Sequence, residues 1–248
     1  MKKKNYKTIF ISDVHLWHFK NQSDKLIEFL ESITFKNLII VWDFIDYWRL
    51  GAFWEWSSKE TRALNYINDL SKKWINITYI TWNHDCKIRC NKNIHFNNMT
   101  FLLDMYYKTN NNKIYYVAHW DCLDNINNNY RDIWKIWSLM HGLLIWIEHI
   151  WNKKVKSPDH LSFAEKVEDW VKIHRFPPKK FKRKFIKFSK KLKCDGIIFW
   201  HFHQECHCNI NWLDYYNTWD WLRRCSAVAE NEEWNLELIK YNWETSQN

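Results

Sequence analysis

Five short tracts carry side chains of the kinds that bind metal ions. They are Asp13-Val14-His15, Asp43-Phe44-Ile45-Asp46, Asn83-His84-Asp85, His119-Trp120-Asp121 and His201-Phe202-His203. Asp13 and His15 are two apart, so on extended backbone they point the same way and can share one ion. The pair His201 and His203 has the same spacing. Asn83 is an uncommon ligand but offers an oxygen, and His84 beside it can titrate near neutral pH. A mixed set of carboxylate, imidazole and carboxamide donors suits Mn²⁺, Fe²⁺ or Zn²⁺ better than Ca²⁺. Taken singly, each tract reads as a polar strand end, and an acid after a strand is more often a cap or loop charge than a ligand. What sets these apart is repetition of one context.

Each tract follows a short apolar, β-rich run. The runs are residues 7–11, 38–41, 75–80, 114–118 and 197–199. Four apolar residues at 38–41 lead almost directly into Asp43, which reads as a buried strand of a sheet covered on both faces. Open α/β sheets place ligands just past the carboxyl ends of such strands. Between the strands, residues 23–33 (Leu26, Ile27, Phe29, Leu30, Ile33) and 59–73 (Ala63, Leu64, Tyr66, Ile67, Leu70) have helical spacing. Ser23 is the expected N-cap of the first helix. The tail, residues 212–241, alternates like a β-meander, and the runs Asn110–Asn112 and Asn127–Asn129 read as loops.

At 248 residues the chain is expected to be one domain, with residues 125–193 as a helical insertion or cap. Thirty-seven Lys and Arg against 28 Asp and Glu give a net charge of +9, which points to an anionic partner. Seven cysteines without a regular framework fit a reducing compartment. The basic N-terminus has too short an apolar run for a signal peptide and reads as a first strand. The tract 201–208 (HFHQECHC) lacks the paired C-x2-C spacing of a structural zinc site, and Cys86 and Cys90 have no matching pair.

Residues 130–153 are apolar on nearly every turn, but the uncharged core, 136–147, falls short of the ~20 residues that span a bilayer. Core packing is the plain reading, and an acyl-chain groove or membrane-facing surface the functional one. Residues 179–193 (KKFKRKFIKFSKKLK) place Phe181, Phe185, Phe188 and Leu192 at helical spacing among basic residues. Such a helix packs its apolar stripe on the core, offers a basic face to acidic headgroups or phosphates, or does both.

In order, strand context and spacing, the five tracts resemble the calcineurin-like metallophosphoesterases, from about Thr8 to about Ile239. Within that superfamily the chain resembles the UDP-2,3-diacylglucosamine pyrophosphohydrolase-like branch. The residues that carry this finer likeness are Asp43-Phe44-Ile45-Asp46-Tyr47-Trp48, the segment before the last His pair, and Tyr216-Asn217-Thr218-Trp219-Asp220-Trp221. The resemblance implies an α/β sandwich of two mixed β-sheets flanked by helices. It also implies two divalent ions, with Mn²⁺ the first expectation and Fe²⁺ or Zn²⁺ the alternatives. Asp43 would bridge them; Asp13, His15 and His203 would complete one site, and Asn83, His119 and His201 the other. His84, oriented by Asp46, would stabilise developing charge or protonate the leaving group.

The implied substrate is a UDP-sugar lipid cleaved at its pyrophosphate. The implied setting is the cytoplasm, peripherally on the anionic inner face of the cell membrane. A metal-dependent nuclease or nucleotide phosphodiesterase is the first rival. A nucleic-acid-binding module is disfavoured, since no recognised motif for one is present.

The departures from the family pattern are systematic. Glycine is expected at positions 17, 42, 82, 120, 200 and 219, and each holds tryptophan. Trp48 and Trp221 fall where the branch tolerates tryptophan. The whole chain has 3 glycines and 19 tryptophans, whereas ~7% glycine would give about 17. One codon read as glycine by the host and written here as tryptophan would account for both anomalies. Trp74, Trp212 and Trp234, in turn-like settings, are expected to be further cases. Were the tryptophans genuine, an inactive binding protein would become a serious reading.

Overall fold

A computed structural model describes residues 3–16, 21–41, 44, 57–81, 99–119, 143, 178–200, 206–210, 212–217, 221 and 225–241. The chain divides into two compact units. One comprises Met1–Tyr47, Trp56–His119 and Cys194–Asn248, the other Trp48–Glu55 and Trp120–Lys193.

Among the described residues the first unit is built on two mixed sheets. The larger has the strand order β13 (Leu236–Lys240), β12 (Ser226–Glu230), β2 (Thr8–Ser12), β4 (Asn37–Val41), β5 (Asn76–Ile80), β6 (Met99–Leu102). Strands β2, β4, β5 and β6 are parallel, and the β12–β13 hairpin adds antiparallel to β2. The smaller sheet has the order β10 (Cys206–Ile210), β11 (Leu213–Asn217), β9 (Gly196–Trp200), β8 (Ile114–His119), β7 (Asp104–Lys108). Its three inner strands are parallel and its two outer strands antiparallel to their neighbours. A short parallel pair joins β1 (Lys4–Asn5) to β3 (Ile33–Thr34).

The two-residue side-chain period of strands divides the core into two layers. Ile9, Ile11, Leu38 and Ile40 pack with Leu26, Phe29, Leu30, Ala63, Ile67 and Leu70, the apolar faces of α1 (Ser23–Ser32) and α2 (Ser58–Lys72). Phe10, Ile39, Val41 and Ile80 point the other way, onto Tyr107, Tyr115, Val117, Ile198 and Tyr216 of the smaller sheet. Strands covered on both faces have no polar side to alternate with, so they appear in the sequence as continuous apolar runs. Gly196 shows the tightness of this packing. A Cβ there would lie 2.4 Å from the Tyr115 ring and 2.7 Å from the Asp214 carbonyl oxygen.

Several local expectations need correction. Ser23 does not cap α1; it is the first helical residue, and the Asn21 Oδ1 accepts from its backbone N–H and its hydroxyl. The tail is not one meander. β11 belongs to the smaller sheet, while β12 and β13 complete the larger one, because the connection after Asn217 carries the chain from sheet to sheet. Residues 206–210 form an edge strand. The basic helix α3 (Pro178–Ser189) ends before Leu192; i→i+3 bonds from Lys191 to Phe188 and from Leu192 to Ser189 tighten the chain into a turn. Phe185 is buried on α3, whereas Arg183 and Lys187 are exposed, as are Lys190, Lys191 and Lys193 beyond it. The loop reading of Asn110–Asn112 agrees with the turn between β7 and β8. Residues 127–129 and 130–153, apart from Leu143, lie outside the described residues, as does most of 125–193.

Candidate metal centre

The strand directions decide where the five tracts go. At the start of β2, the Thr8 hydroxyl and the Tyr107 hydroxyl are hydrogen-bonded at 2.6 Å, and the Lys7 ammonium reaches the Asn110 side chain at 2.5 Å. Tyr107 and Asn110 stand where β7 turns into β8, so β2 and β8 begin at the same end of the sandwich. Their carboxyl ends, Ser12 and His119, therefore lie together at the other end. Within the larger sheet, Ser12, Val41 and Ile80 are side by side. Within the smaller, His119 is level with Trp200, the residue before His201. The strands that lead into the five tracts thus end at one edge of this unit.

Asp13 and His15 are both in the left-handed backbone region, at φ 49° and 45°. Residues other than glycine rarely adopt this conformation, and where they do they cluster at functional sites. Asp13 is 7% exposed. Its Oδ1 lies 3.7 Å from the His15 Nε2, too far for a hydrogen bond. Two ligands each ~2.1 Å from one ion stand roughly 3 Å apart. The pair therefore fits a shared ion with a small adjustment. The extended backbone expected at 13–15 is replaced by two left-handed residues, yet both side chains still converge.

Two main-chain contacts and one side chain hold this loop. The Leu16 N–H donates to the Phe44 carbonyl at 3.0 Å, tying the residue after His15 to the residue after Asp43. The Trp221 N–H donates to the Asp13 carbonyl at 3.1 Å. The Asn21 side-chain amide donates to the Leu16 carbonyl at 3.0 Å and to the Glu60 carboxylate at 2.7 Å. Glu60 is in turn part of a capping box: its carboxylate accepts from the backbone N–H of Ser57 at 2.8 Å, and Ser57 caps α2. Burial would raise the Glu60 pKa, but the bonds from Ser57 and Asn21 outweigh it and leave it below the usual value. These positioning residues went unnoticed in the sequence, although Ser57-Ser58-Lys59-Glu60 is a capping-box signature.

Asp43, Asp46, Asn83, His84, His201 and His203 lie outside the described residues, and of His119 only the backbone is described. Among the described residues no three His, Cys, Asp or Glu side chains gather around a point, since only Asp13 and His15 of the seven expected ligands have described side chains. An open groove of about 620 Å³, lined by Leu30, Phe35, Tyr66, Leu70, Lys73 and Ile75 among others, lies at the starts of β4 and β5. That is the opposite end from Asp13, so it is not this site. Among the described residues no helix is long and apolar enough to cross a membrane.

No protein-family model matches the chain, and no curated protein matches it in sequence. Similar solved structures include phosphodiesterase- and phosphoesterase-type proteins. An archaeal phosphodiesterase is 12% identical over 94% of this chain and 99% of its own, with a TM-score of 0.45. A predicted phosphoesterase of Streptococcus pneumoniae is 9% identical over 95% and 98%, with a TM-score of 0.39. The phosphopantetheinyl hydrolase of Mycobacterium tuberculosis is 10% identical over 98% and 99%, with a TM-score of 0.41. Likenesses this distant assign no residue roles here.

Proposed function

We propose that this chain is a metal-dependent hydrolase of phosphoester or pyrophosphate bonds. The observation that carries the reading is the Asp13–His15 pair. Both residues hold a strained backbone, the carboxylate is buried against the imidazole, and the loop is tied to the residue after Asp43. Asp13, His15 and His203 would hold one ion, Asn83, His119 and His201 the second, and Asp43 both. When bound, such ions supply an activated water and charge neutralisation at the phosphoryl oxygens. The chain's own residues orient and protonate. His84 would carry the proton for the leaving oxygen, and Asp46 would fix its ring. Asn21 and Glu60 hold the Asp13–Leu16 loop in place.

The substrate proposed is an acylated UDP-sugar, met by a cytoplasmic protein at the inner membrane face. Arg183, Lys187, Lys190, Lys191 and Lys193 are exposed and could meet anionic headgroups, at ~1 kcal/mol for each well-placed charge. The same charges would serve a nuclease, which is the second reading.

The test uses protein with glycine at positions 17, 42, 82, 120, 200 and 219, where tryptophan would crowd the site loops. It should hydrolyse a generic phosphodiester with Mn²⁺ and stop in a strong chelator. Asp43→Asn should abolish turnover more completely than Asp13→Asn, because Asp43 would help hold both ions. Full activity of a metal-free Asp43→Asn protein would overturn the reading. Preference for nucleic acid over an acylated UDP-sugar in direct competition would favour the nuclease.

A further inference from the structure

Four tryptophans have described side chains, and exposure sorts them into two kinds. Trp221 is fully buried and packs on Phe29 with ring centroids 5.2 Å apart. Trp74, Trp212 and Trp234 are 91%, 61% and 50% exposed. Trp74 gains almost nothing from burial, and the other two leave half or more of their surface in water.

Trp74 follows Lys73, the C-cap of α2, with φ 65°. The Ile75 N–H donates back to the Leu70 carbonyl at 3.3 Å, and both side chains belong to the same apolar cluster. This is the Schellman ending of a helix, and Trp74 holds the left-handed position that glycine fills most often. Trp234 has φ 66° in the hairpin between β12 and β13. Its N–H donates to the Asn231 carbonyl at 3.0 Å, and the Asn231 N–H to the Asn235 carbonyl at 3.0 Å. Such three-residue hairpin loops end in a left-handed residue, usually glycine. The chain contains the same turn a second time. Asn112 has φ 66°, its N–H donates to the Thr109 carbonyl at 3.0 Å, and the Thr109 N–H to the Lys113 carbonyl at 2.9 Å. There the left-handed residue is asparagine, which tolerates the conformation; in the matching position tryptophan does not. Finally, Ile210 pairs with Leu213, so the sequence leaves two residues, Asn-Trp, between the paired strands. Asn-Gly is the dipeptide such a connection favours.

We infer that the natural polypeptide carries glycine at positions 74, 212 and 234 and tryptophan at 221, so that one codon written as tryptophan is decoded by the host as glycine. The inference draws on turns remote from the metal centre and stands whether or not the chain is a phosphoesterase. In the gene, positions 74, 212 and 234 share one codon and 221 has another. Mass spectrometry of peptides from the protein isolated from its own cells reads the residues directly. Glycine at 74, 212 and 234 with tryptophan at 221 is the expected result; tryptophan at 74 or 234 overturns the inference. A second measurement does not depend on the source cells. In recombinant protein made with tryptophan at these positions, Trp74→Gly and Trp234→Gly should each raise Tm by roughly 2–4 °C. Trp221→Gly should lower it by considerably more. A fall in Tm for Trp74→Gly and Trp234→Gly would show that these turns do not require glycine, and would also overturn the inference.

Discussion

The Tyr107 hydroxyl donates to the Glu230 carboxylate, and the contact clasps the two sheets together at the end opposite Asp13. Glu230 is fully buried at the end of β12 in the larger sheet, and Tyr107 lies on β7 of the smaller. The other Glu230 oxygen accepts from the Asn110 backbone N–H at 2.8 Å, and the Lys7 ammonium stands 3.3 Å from the carboxylate. A buried carboxylate held this way is costly to strip of one partner. Tyr107→Phe should therefore destabilise the fold by about 1–3 kcal/mol, read from the denaturation midpoint at unchanged slope. No change in midpoint would mean that water or Lys7 substitutes for the hydroxyl.

Alkaline pH tests the same residues. Burial, followed by the Glu230 hydrogen bond, pushes the Tyr107 pKa well up. Burial and Asp214 push Tyr216 up to about 12. Burial and Glu31 do the same for Tyr66, also to about 12. In the unfolded chain tyrosine ionises near ~10. A raised folded pKa contributes stability that is fully present below ~10 and lost as pH rises through the folded values. Stability should thus fall steadily above about pH 10, and Tyr66→Phe should make that fall shallower. An unchanged slope in a titration of unfolding free energy would contradict this.

Much of the fold was legible because its inner strands are buried on both faces. Residues 38–41, 114–118 and 197–199 announce themselves as unbroken apolar runs and 75–80 as a β-rich run broken by Asn76 and Thr78, and each contains or lies within a strand. β6 and β7 were missed because they are short and partly exposed, and Asp104 and Lys108 dilute their pattern. β10 was missed because its tract was weighed only as a structural zinc site, which its spacing rules out. The Asp13–His15 pair stood out in the sequence only because its context recurs five times. What holds it did not stand out: the Leu16–Phe44 and Trp221–Asp13 bonds are made by backbone, which leaves no side-chain signature, between segments far apart in sequence.

Glu60 gives a prediction at the acid end. Its folded pKa is depressed, so it contributes stability present above the unfolded carboxylate pKa and lost as pH falls through the folded one. Ser57→Ala should cost about 1 kcal/mol at neutral pH, and its cost should shrink as Glu60 protonates. A Ser57→Ala cost that stays constant from neutral pH down into the acid range would remove Glu60 from the account.

Asp13 links the structure to the chemistry. Loss even of a residue that only orients a metal ligand typically costs 10–100-fold in activity or affinity. In protein with glycine at the six motif positions, Asp13→Asn should therefore lower phosphodiester turnover by roughly 100-fold or more. It should also lose the rise in Tm on adding Mn²⁺ that a site occupied only in the folded state produces. Retention of the full Mn²⁺-dependent Tm rise would place the ion away from Asp13.

The last prediction separates a lipid from a soluble substrate. A diacylated sugar must bury its chains, because each exposed CH₂ forgoes ~0.8 kcal/mol. Residues 130–153 are apolar enough to receive them, and within this segment Leu143 is helical and 42% exposed. A leucine that is not buried can become aspartate without opening a core, so the fold should survive Leu143→Asp. The charge would nonetheless sit on the surface proposed to meet acyl chains. Turnover of an acylated UDP-sugar should then fall several-fold more than that of a small chromogenic diester measured on the same preparation. Equal losses on both substrates would assign the segment to packing. An unchanged ratio with both activities intact would move the acyl chains elsewhere.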